Sequence, residues 1–128
     1  MDQIIADIHH AAAGKKPWAD ALTGIPRKLD LKGSQAGGVS TVNGAVLFSH
    51  ASAGVPTETE LEYVRTYHGD DPRIPLLLKS SEGDWLYDQD VFDTGMATTN
   101  PCYRDLLIPY GARYSASAKL LERNGKVS

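Results

Sequence analysis

Two Asn-Gly dipeptides, at residues 43–44 and 124–125, each lie between stretches in which apolar residues alternate with polar or small ones. In that setting Asn-Gly is among the strongest sequence signals for a β-hairpin, because both residues tolerate the positive φ angles of a type I′ turn. The two strands of a hairpin are antiparallel. The chain is therefore predicted to contain an antiparallel sheet, which disfavours a doubly wound parallel fold.

The second dipeptide follows a predicted strand at residues 112–121 and precedes only three residues, Lys126, Val127 and Ser128. A strand this short is marginal at the edge of a sheet, so we expect the 128 residues to be one part of a longer polypeptide. Their number suits a single domain, residues 1–128, whose core needs neither a metal nor a disulfide.

The first dipeptide predicts a hairpin with strands at residues 36–42 and 45–50 joined by a two-residue turn. This register places Val46, Phe48 and His50 on one face of the sheet. A short strand is predicted at residues 85–87, before the long strand at residues 112–121. The fold class is predicted to be α+β, with helices segregated to one face of an antiparallel sheet.

The helices are predicted from apolar spacing and from residues that begin or end helices. A first helix ends near Gly14, and a second begins at Pro17 and ends where Pro26 removes a hydrogen-bond donor. Thr57 and Glu60 match a capping box at the start of a third helix. The other expected features are a corner at residues 70–75 leading into a helical turn, a brief helix capped by Asp88, and a helix from Asn100-Pro101 to Gly111.

Charge and cysteine content exclude several classes of partner. The net charge of −3 and the lack of a Lys/Arg cluster argue against a nucleic-acid surface on this chain. Ten acidic residues lie at positions 57–93, which we interpret as a solvated face. The single Cys102 excludes an internal disulfide and fits a cytoplasmic location. No long apolar run or signal-like N-terminus predicts a membrane partner.

The sequence contains no recognisable catalytic constellation and predicts no metal site. His9 and His10 are adjacent and point about 100° apart on a helix, so they cannot share one metal ion. His50 and His68 are isolated and are interpreted as satisfied core residues, with a haem ligand or a pH-sensitive group as alternatives.

Three further polar positions have structural interpretations. Cys102 lies near a helix start, where a thiol can become reactive, but we interpret it as a small buried hydrophobic residue. Asp71 and Asp88, each with an acidic neighbour, are interpreted as solvated residues of caps and turns.

Small side chains on the predicted strands leave room for a ligand. Ala36, Gly38 and Ser40 share one face of the first strand, and the last strand presents Ala116 and Ala118. We predict an aromatic-walled pocket, with an ordinary packed core as the alternative. Its predicted lining residues are Phe48, His50, Tyr67, Trp85, Tyr87, Tyr114 and Ala116.

Three stretches together resemble the N-terminal sensory domain of bacterial LuxR-type helix-turn-helix regulators. They are residues 62–75 (EYVRTYHGDDPRIP), 83–88 (GDWLYD) and 100–114 (NPCYRDLLIPYGARY). The opening helices around Trp18 and the strand at residues 48–52 fit as well. The resemblance implies a PAS-like domain: a five-stranded antiparallel sheet flanked by helices, which senses a small molecule or another signal and forms a homodimer.

The resemblance also implies a helix-turn-helix domain after the sensor. Nothing after Leu121 could form a recognition helix, so DNA binding is expected only through a C-terminal domain outside this chain. The sequence identifies neither the ligand nor a cofactor. The alternative functions are a ligand-free PAS-like dimerisation or protein-interaction module, a small enzyme using Cys102 or His50, and a haem-binding sensor.

Overall fold

Helices and antiparallel strands are interspersed along the chain, so the predicted α+β class is confirmed. The computed structural model describes residues 2–128. Its α-helices are α1 (Asp2–Ala12), α2 (Trp18–Leu29), α3 (Thr57–Glu62), α4 (Arg73–Lys79), α5 (Asp88–Val91), α6 (Thr94–Thr99) and α7 (Ile108–Tyr110). Its π-helical segments are Tyr63–Tyr67 and Cys102–Leu107, and a 3₁₀ turn spans His68–Asp70. Its strands are β1 (Gln35–Ser40), β2 (Val46–Ala51), β3 (Trp85–Tyr87), β4 (Ala116–Ala118), β5 (Glu122–Arg123) and β6 (Lys126–Val127).

The strands form two antiparallel sheets where the resemblance implies one sheet of five strands. One sheet has four strands in the order β2-β1-β6-β5, and the other pairs β3 with β4. None of the helices at residues 2–128 is long and apolar enough to cross a bilayer.

The predicted continuous strand at residues 112–121 is wrong, because the chain changes partners at Lys119. The carbonyl of Lys119 accepts from the amide of Gly83 beside β3, whereas the amide of Leu120 donates to Ser128 beyond β6. The Lys119 side chain is buried, and its Nζ donates to the carbonyls of Leu78 at 3.1 Å and Ser80 at 2.9 Å. These bonds satisfy the buried amine and hold the chain where it leaves one sheet for the other.

The terminal hairpin has the predicted two-residue turn. Asn124 and Gly125 have φ angles of 53° and 76°, which suit a type I′ turn. The strand that follows is not at an edge, because Val127 pairs with Val39 of β1 and with Glu122 of β5. Backbone hydrogen bonds on both sides therefore stabilise a strand that the sequence alone suggests is marginal.

The first hairpin differs from its prediction. Gly38 lies opposite Phe48 but Val39 lies opposite Val46, so β2 contains a bulge. The turn occupies residues 41–44, with the Gly44 amide donating to the Ser40 carbonyl, and the two-residue turn is wrong. Asn43 Oδ1 accepts from the amide of Ala45 at 3.0 Å, a local bond that favours this wider turn.

Helix α2 continues through Pro26 to Leu29, so the predicted end at Pro26 is wrong. A proline at that position removes the amide that would bond the carbonyl of Leu22. The hydroxyl of Ser34 donates to this carbonyl at 2.8 Å. The lost helical bond is therefore replaced from outside the helix.

Two predicted N-caps are wrong, whereas a third N-cap and the stop of its helix are confirmed. Pro56 occupies the N-cap of α3 and Thr57 lies inside the helix, so the capping box does not form. Asp88 is the first residue of α5 and its side chain bonds elsewhere. Asn100 Oδ1 accepts from the amide of Tyr103, and Gly111 ends the following helix with a φ angle of 98°, as predicted.

Helices lie on both faces of the four-stranded sheet, so their predicted segregation to one face is wrong. Trp18 of α2 stacks on His50, with ring centroids 6.1 Å apart. On the next residue of the strand, Ser49 donates to Glu60 of α3 at 3.2 Å. Adjacent strand residues point to opposite faces, so α2 and α3 cover different sides. The buried apolar core consists of Ile4, Ala11, Ala21, Leu22, Ala51, Ala97, Cys102, Tyr103, Leu106 and Val127.

Candidate functional site

The seven residues predicted to line one pocket are distributed over several elements. Phe48 and His50 are neighbours on β2, with ring centroids 5.9 Å apart. Trp85 and Tyr87 stack on each other on β3, and Trp85 is 61% exposed. Ala116 pairs with Tyr87 in the smaller sheet.

Tyr67 and Tyr114 belong to neither strand pair. Tyr67 ends the first π-helical segment, and Tyr114 precedes β4 with 68% of its surface exposed. A groove lies on the four-stranded sheet, and Phe48 is the one predicted residue that lines it.

This groove has a volume of about 560 Å³. The strand register explains why its residues meet: Arg123 lies opposite Lys126, Lys126 opposite Ser40, and Gly38 opposite Phe48. Because side chains alternate between faces, these positions share one face of the sheet. The lining residues are Gly38, Leu47, Phe48, Leu121, Arg123, Asn124, Lys126, Val127 and Ser128.

The floor of the groove depends on Gly38. A Cβ atom at this position would lie only 2.9 Å from Cδ1 of Phe48, so the aromatic ring crosses the strand directly over the glycine. Leu47, Phe48 and Leu121 keep 45%, 44% and 41% of their surfaces exposed. Helix α2 contacts His50 at the other end of the same face, so the groove presents uncovered apolar surface beside a helix-covered region.

A second cleft, of about 280 Å³, lies between the turn of the first hairpin and the segment that leads into α4. Val39, Asn43, His68 and Ile74 are among its lining residues. Within residues 2–128, Nδ1 of His68 is buried and has no hydrogen-bond partner. The interpretation of His68 as a satisfied core residue is therefore wrong.

A buried ionic pair borders the second cleft, and Asp71 is one of the residues that line it. Arg73 donates to Asp71 through Nε at 2.9 Å and through Nη2 at 2.8 Å, and the hydroxyl of Tyr63 donates to the same carboxylate. Burial alone would raise the pKa of Asp71, but the Arg73 guanidinium and the Tyr63 hydroxyl outweigh it and lower the pKa. Burial and the adjacent Asp71 charge raise the pKa of Tyr63.

Asp88 is a second buried carboxylate, 1% exposed. It accepts hydrogen bonds from the hydroxyl of Tyr103 at 3.0 Å and from the amide and hydroxyl of Ser115 at 2.9 and 3.1 Å. Nη1 of Arg73 donates to the same Ser115 hydroxyl at 3.2 Å. The two carboxylates therefore belong to one connected network, which we call the buried network: Tyr63, Asp71, Arg73, Asp88, Tyr103 and Ser115.

Sequence reasoning missed the buried network, because it interpreted Asp71 and Asp88 as solvated. The available signal was local: Arg73 follows Asp71 by two residues, which allows a fork-like pair. The link to Asp88 joins residues far apart in sequence. No spacing rule predicts such a contact.

Cys102 is fully buried, as its interpretation predicts. Burial, assisted by the negative charge of Asp71, raises the pKa of its thiol to about 12. A thiol in this state stays protonated near neutral pH and is a poor nucleophile. No group of three or more His, Cys, Asp or Glu side chains at residues 2–128 is placed to hold a metal ion.

The candidate functional features at residues 2–128 are thus the groove, the second cleft and the buried network. Comparison with known proteins adds no further assignment: no family model, no curated protein and no solved structure matches the chain.

Proposed function

We propose that this chain is the sensory domain of a LuxR-type transcriptional regulator and binds a small molecule in the groove on its four-stranded sheet. The groove carries the proposal. Its volume of about 560 Å³ falls within the range of small-molecule sites, and its floor is apolar, with polar groups at one side. Gly38 keeps this space open, since a larger residue would displace Phe48.

The sequence resemblance supports the regulatory class. All three resembling stretches contribute to the buried network: Asp71 and Arg73 come from the first, Asp88 from the second and Tyr103 from the third. Residues that are shared with a family and meet in one buried cluster are suited to specify a common scaffold. The resemblance therefore concerns the buried network, whereas the groove is lined by other residues.

The PAS-like topology is part of the same proposal. Strands β4 and β5 are two halves of one run that changes partners at Lys119. Counted as one broken strand, they join the two sheets in the order β2-β1-β6-β5/β4-β3. We therefore propose a five-stranded antiparallel arrangement with its fourth strand interrupted.

The proposed mechanism is a shift in population. A ligand that contacts Phe48 and the β5–β6 hairpin stabilises one packing of this hairpin over others, and that preference biases a homodimer and the attached DNA-binding domain in the cytoplasm. The free energy by which the ligand shifts the two populations equals the difference between its binding free energies for the two packings.

The test is a thermal-shift screen of a metabolite library against the chain, repeated with Phe48→Ala and with the control Val91→Ala. Val91 is similarly exposed but lies on α5, outside the groove. We expect a compound that raises Tm for the natural chain and for Val91→Ala but not for Phe48→Ala. A library without such a compound would argue against the sensor. The gene must also encode a basic helix-turn-helix within about 70–100 residues downstream, the size of a small domain.

A ligand-free interaction module is the second candidate, favoured by the exposed aromatic surface of β3. Trp85 and Tyr87 stack with an interplanar angle of 18° and remain 61% and 45% exposed. Exposed aromatic side chains of this kind are typical of binding surfaces. Under this candidate, Trp85→Ser abolishes dimer formation in analytical ultracentrifugation, and no metabolite raises Tm.

A further inference from the structure

The groove carries two positive charges on the same face as its apolar floor. Arg123 and Lys126 lie directly opposite each other across the β5–β6 turn. Like charges at directly opposite positions of an antiparallel pair destabilise each other. Nothing in the local backbone requires two cations here, because Asn124 and Gly125 alone specify the turn.

No Asp or Glu side chain pairs with either of these cations at residues 2–128. Over the same residues neither Arg123 nor Lys126 forms an ion pair with a side chain or with the terminal carboxylate of Ser128, and no Asp or Glu side chain lines the groove. The adjacent Glu122 lies on the opposite face of the strand, where Nζ of Lys119 binds it at 3.0 Å. The acidic Glu60 likewise contacts the opposite face through Ser49.

An apolar floor beside two unpaired cations is complementary to one chemical class of ligand. We propose that the groove binds an amphipathic anion, with its apolar chain or ring on Leu47, Phe48 and Leu121 and its carboxylate or similar headgroup between Arg123 and Lys126. This inference rests on the proposed sensory function, since it names the ligand class of the same groove. The anion relieves the repulsion of the cross-strand pair and so stabilises the β5–β6 hairpin.

The ligand class is tested with three probes that share one alkyl chain: octanoate, octan-1-ol and octyltrimethylammonium. Binding is followed by ¹H–¹⁵N NMR titration of the chain in low salt. We expect shifts at the groove residues and a Kd for octanoate only about tenfold lower than for octan-1-ol, because the two charge contacts are exposed and therefore weak. The cationic probe should bind more weakly than the alcohol.

Charge variants assign the effect to the named residues. The double variant Arg123→Gln/Lys126→Gln should raise the Kd of octanoate to that of octan-1-ol and leave the alcohol unchanged. The matched control is Arg65→Gln/Lys79→Gln, which removes two exposed cations from the first π-helical segment and α4. This control should retain the preference for octanoate, and added salt should weaken only octanoate binding.

The outcomes separate this inference from the proposed function. If octanoate and octan-1-ol shift the groove residues with equal affinity, or if the Arg123/Lys126 variant retains the preference, the anion assignment is overturned and the groove remains a ligand site. If octyltrimethylammonium binds most tightly, the assignment is overturned in the same way. If no probe shifts the groove residues, both the assignment and the sensory role of the groove fail.

Discussion

The two halves of this molecule are stabilised in different ways. Around α4, β3 and the second π-helical segment, buried carboxylates and an arginine are joined by direct side-chain hydrogen bonds. The four-stranded sheet has small residues, short strands and exposed apolar side chains, and the backbone ladder supplies much of its order. A buried polar network specifies a single arrangement, whereas a thin sheet with an open groove has room to adjust. The buried network and the open groove thus lie in different parts of the chain.

The largest expected effect is in the buried network. Asp71→Asn keeps the shape of the side chain but leaves the Arg73 guanidinium buried without its counter-charge, so we expect a loss of about 3–5 kcal/mol in the free energy of unfolding. Urea denaturation measures this loss. The control is Asp105→Asn, which breaks the exposed pair with Arg104 and should leave stability unchanged. Equal effects of the two substitutions would contradict the distinction between the halves.

The same carboxylate predicts a dependence on pH. The pKa of Asp71 is lower in the folded protein than its ordinary value of 3.8. At pH values between the folded and the unfolded pKa, the folded state therefore binds fewer protons than the unfolded state. Its stabilising contribution is therefore complete above about pH 4 and is lost as the pH falls through the folded pKa. The stability difference between the natural chain and Asp71→Asn should shrink over that interval. A difference that is constant down to pH 2 would contradict the ion pair.

The third prediction concerns Cys102, which lies beside the network. A pKa raised from 9.0 to about 12 lowers the thiolate fraction about a thousandfold, and the higher nucleophilicity of a more basic thiolate offsets only part of this loss. Iodoacetamide should therefore label the folded chain at least about tenfold more slowly than the urea-unfolded chain. The control is Ser81→Cys in a Cys102→Ala background, which places a thiol at an exposed position. Equal labelling rates for Cys102 and for this surface thiol would revive the cysteine-enzyme alternative.

The fourth prediction tests the groove. Gly38→Ala places a methyl group against the Phe48 ring, and such overpacking should cost about 1–3 kcal/mol. In a Phe48→Ala background the same substitution should be neutral or stabilising, because the obstructing ring is gone and alanine reduces the entropy of the unfolded chain. Gly54→Ala, where nothing lies within 4 Å of the added atom, is the control. If Gly38→Ala costs the same in both backgrounds, Phe48 does not determine the groove floor.

Local sequence rules predict those parts of this fold that depend on local interactions. Asn100 and Gly111 limit their helix as expected, and Asn124-Gly125 forms its two-residue turn, because the deciding bonds join near neighbours. Helix α2 passes through Pro26 because Ser34, from another segment, supplies the missing donor. The break at Lys119 likewise depends on carbonyls of residues 78 and 80, which a strand pattern does not include.

The candidate site shows the same difference between contacts of near neighbours and contacts of residues far apart in sequence. Alternation along β2 correctly places Phe48 and His50 on one face, but the bulge puts Val46, opposite Val39, on the other face. The aromatic residues of β3 belong to a separate sheet. Arg123 and Lys126 join the groove only through the pairing of β6 with β1, a contact between residues more than 80 positions apart. Neither residue type nor spacing indicates that contact, so the sequence predicts one lining residue of the groove, Phe48, and misses Arg123 and Lys126.

The smallest expected effect compares the two Asn-Gly dipeptides directly. Asn124 has a positive φ of 53°, where a β-branched residue is strained, so Asn124→Thr should cost about 1 kcal/mol and loosen the hairpin that carries Arg123 and Lys126. Asn43 does not have a positive φ, and threonine retains an oxygen acceptor there, so Asn43→Thr should change the free energy of unfolding by less than about 0.5 kcal/mol. Urea denaturation and amide exchange at Lys126 and Val127 measure both effects. Strand β6 lies between β1 and β5, so faster exchange at these amides without loss of global stability would show that this side of the sheet opens locally. Equal effects of the two substitutions would show that the turn does not control this local opening.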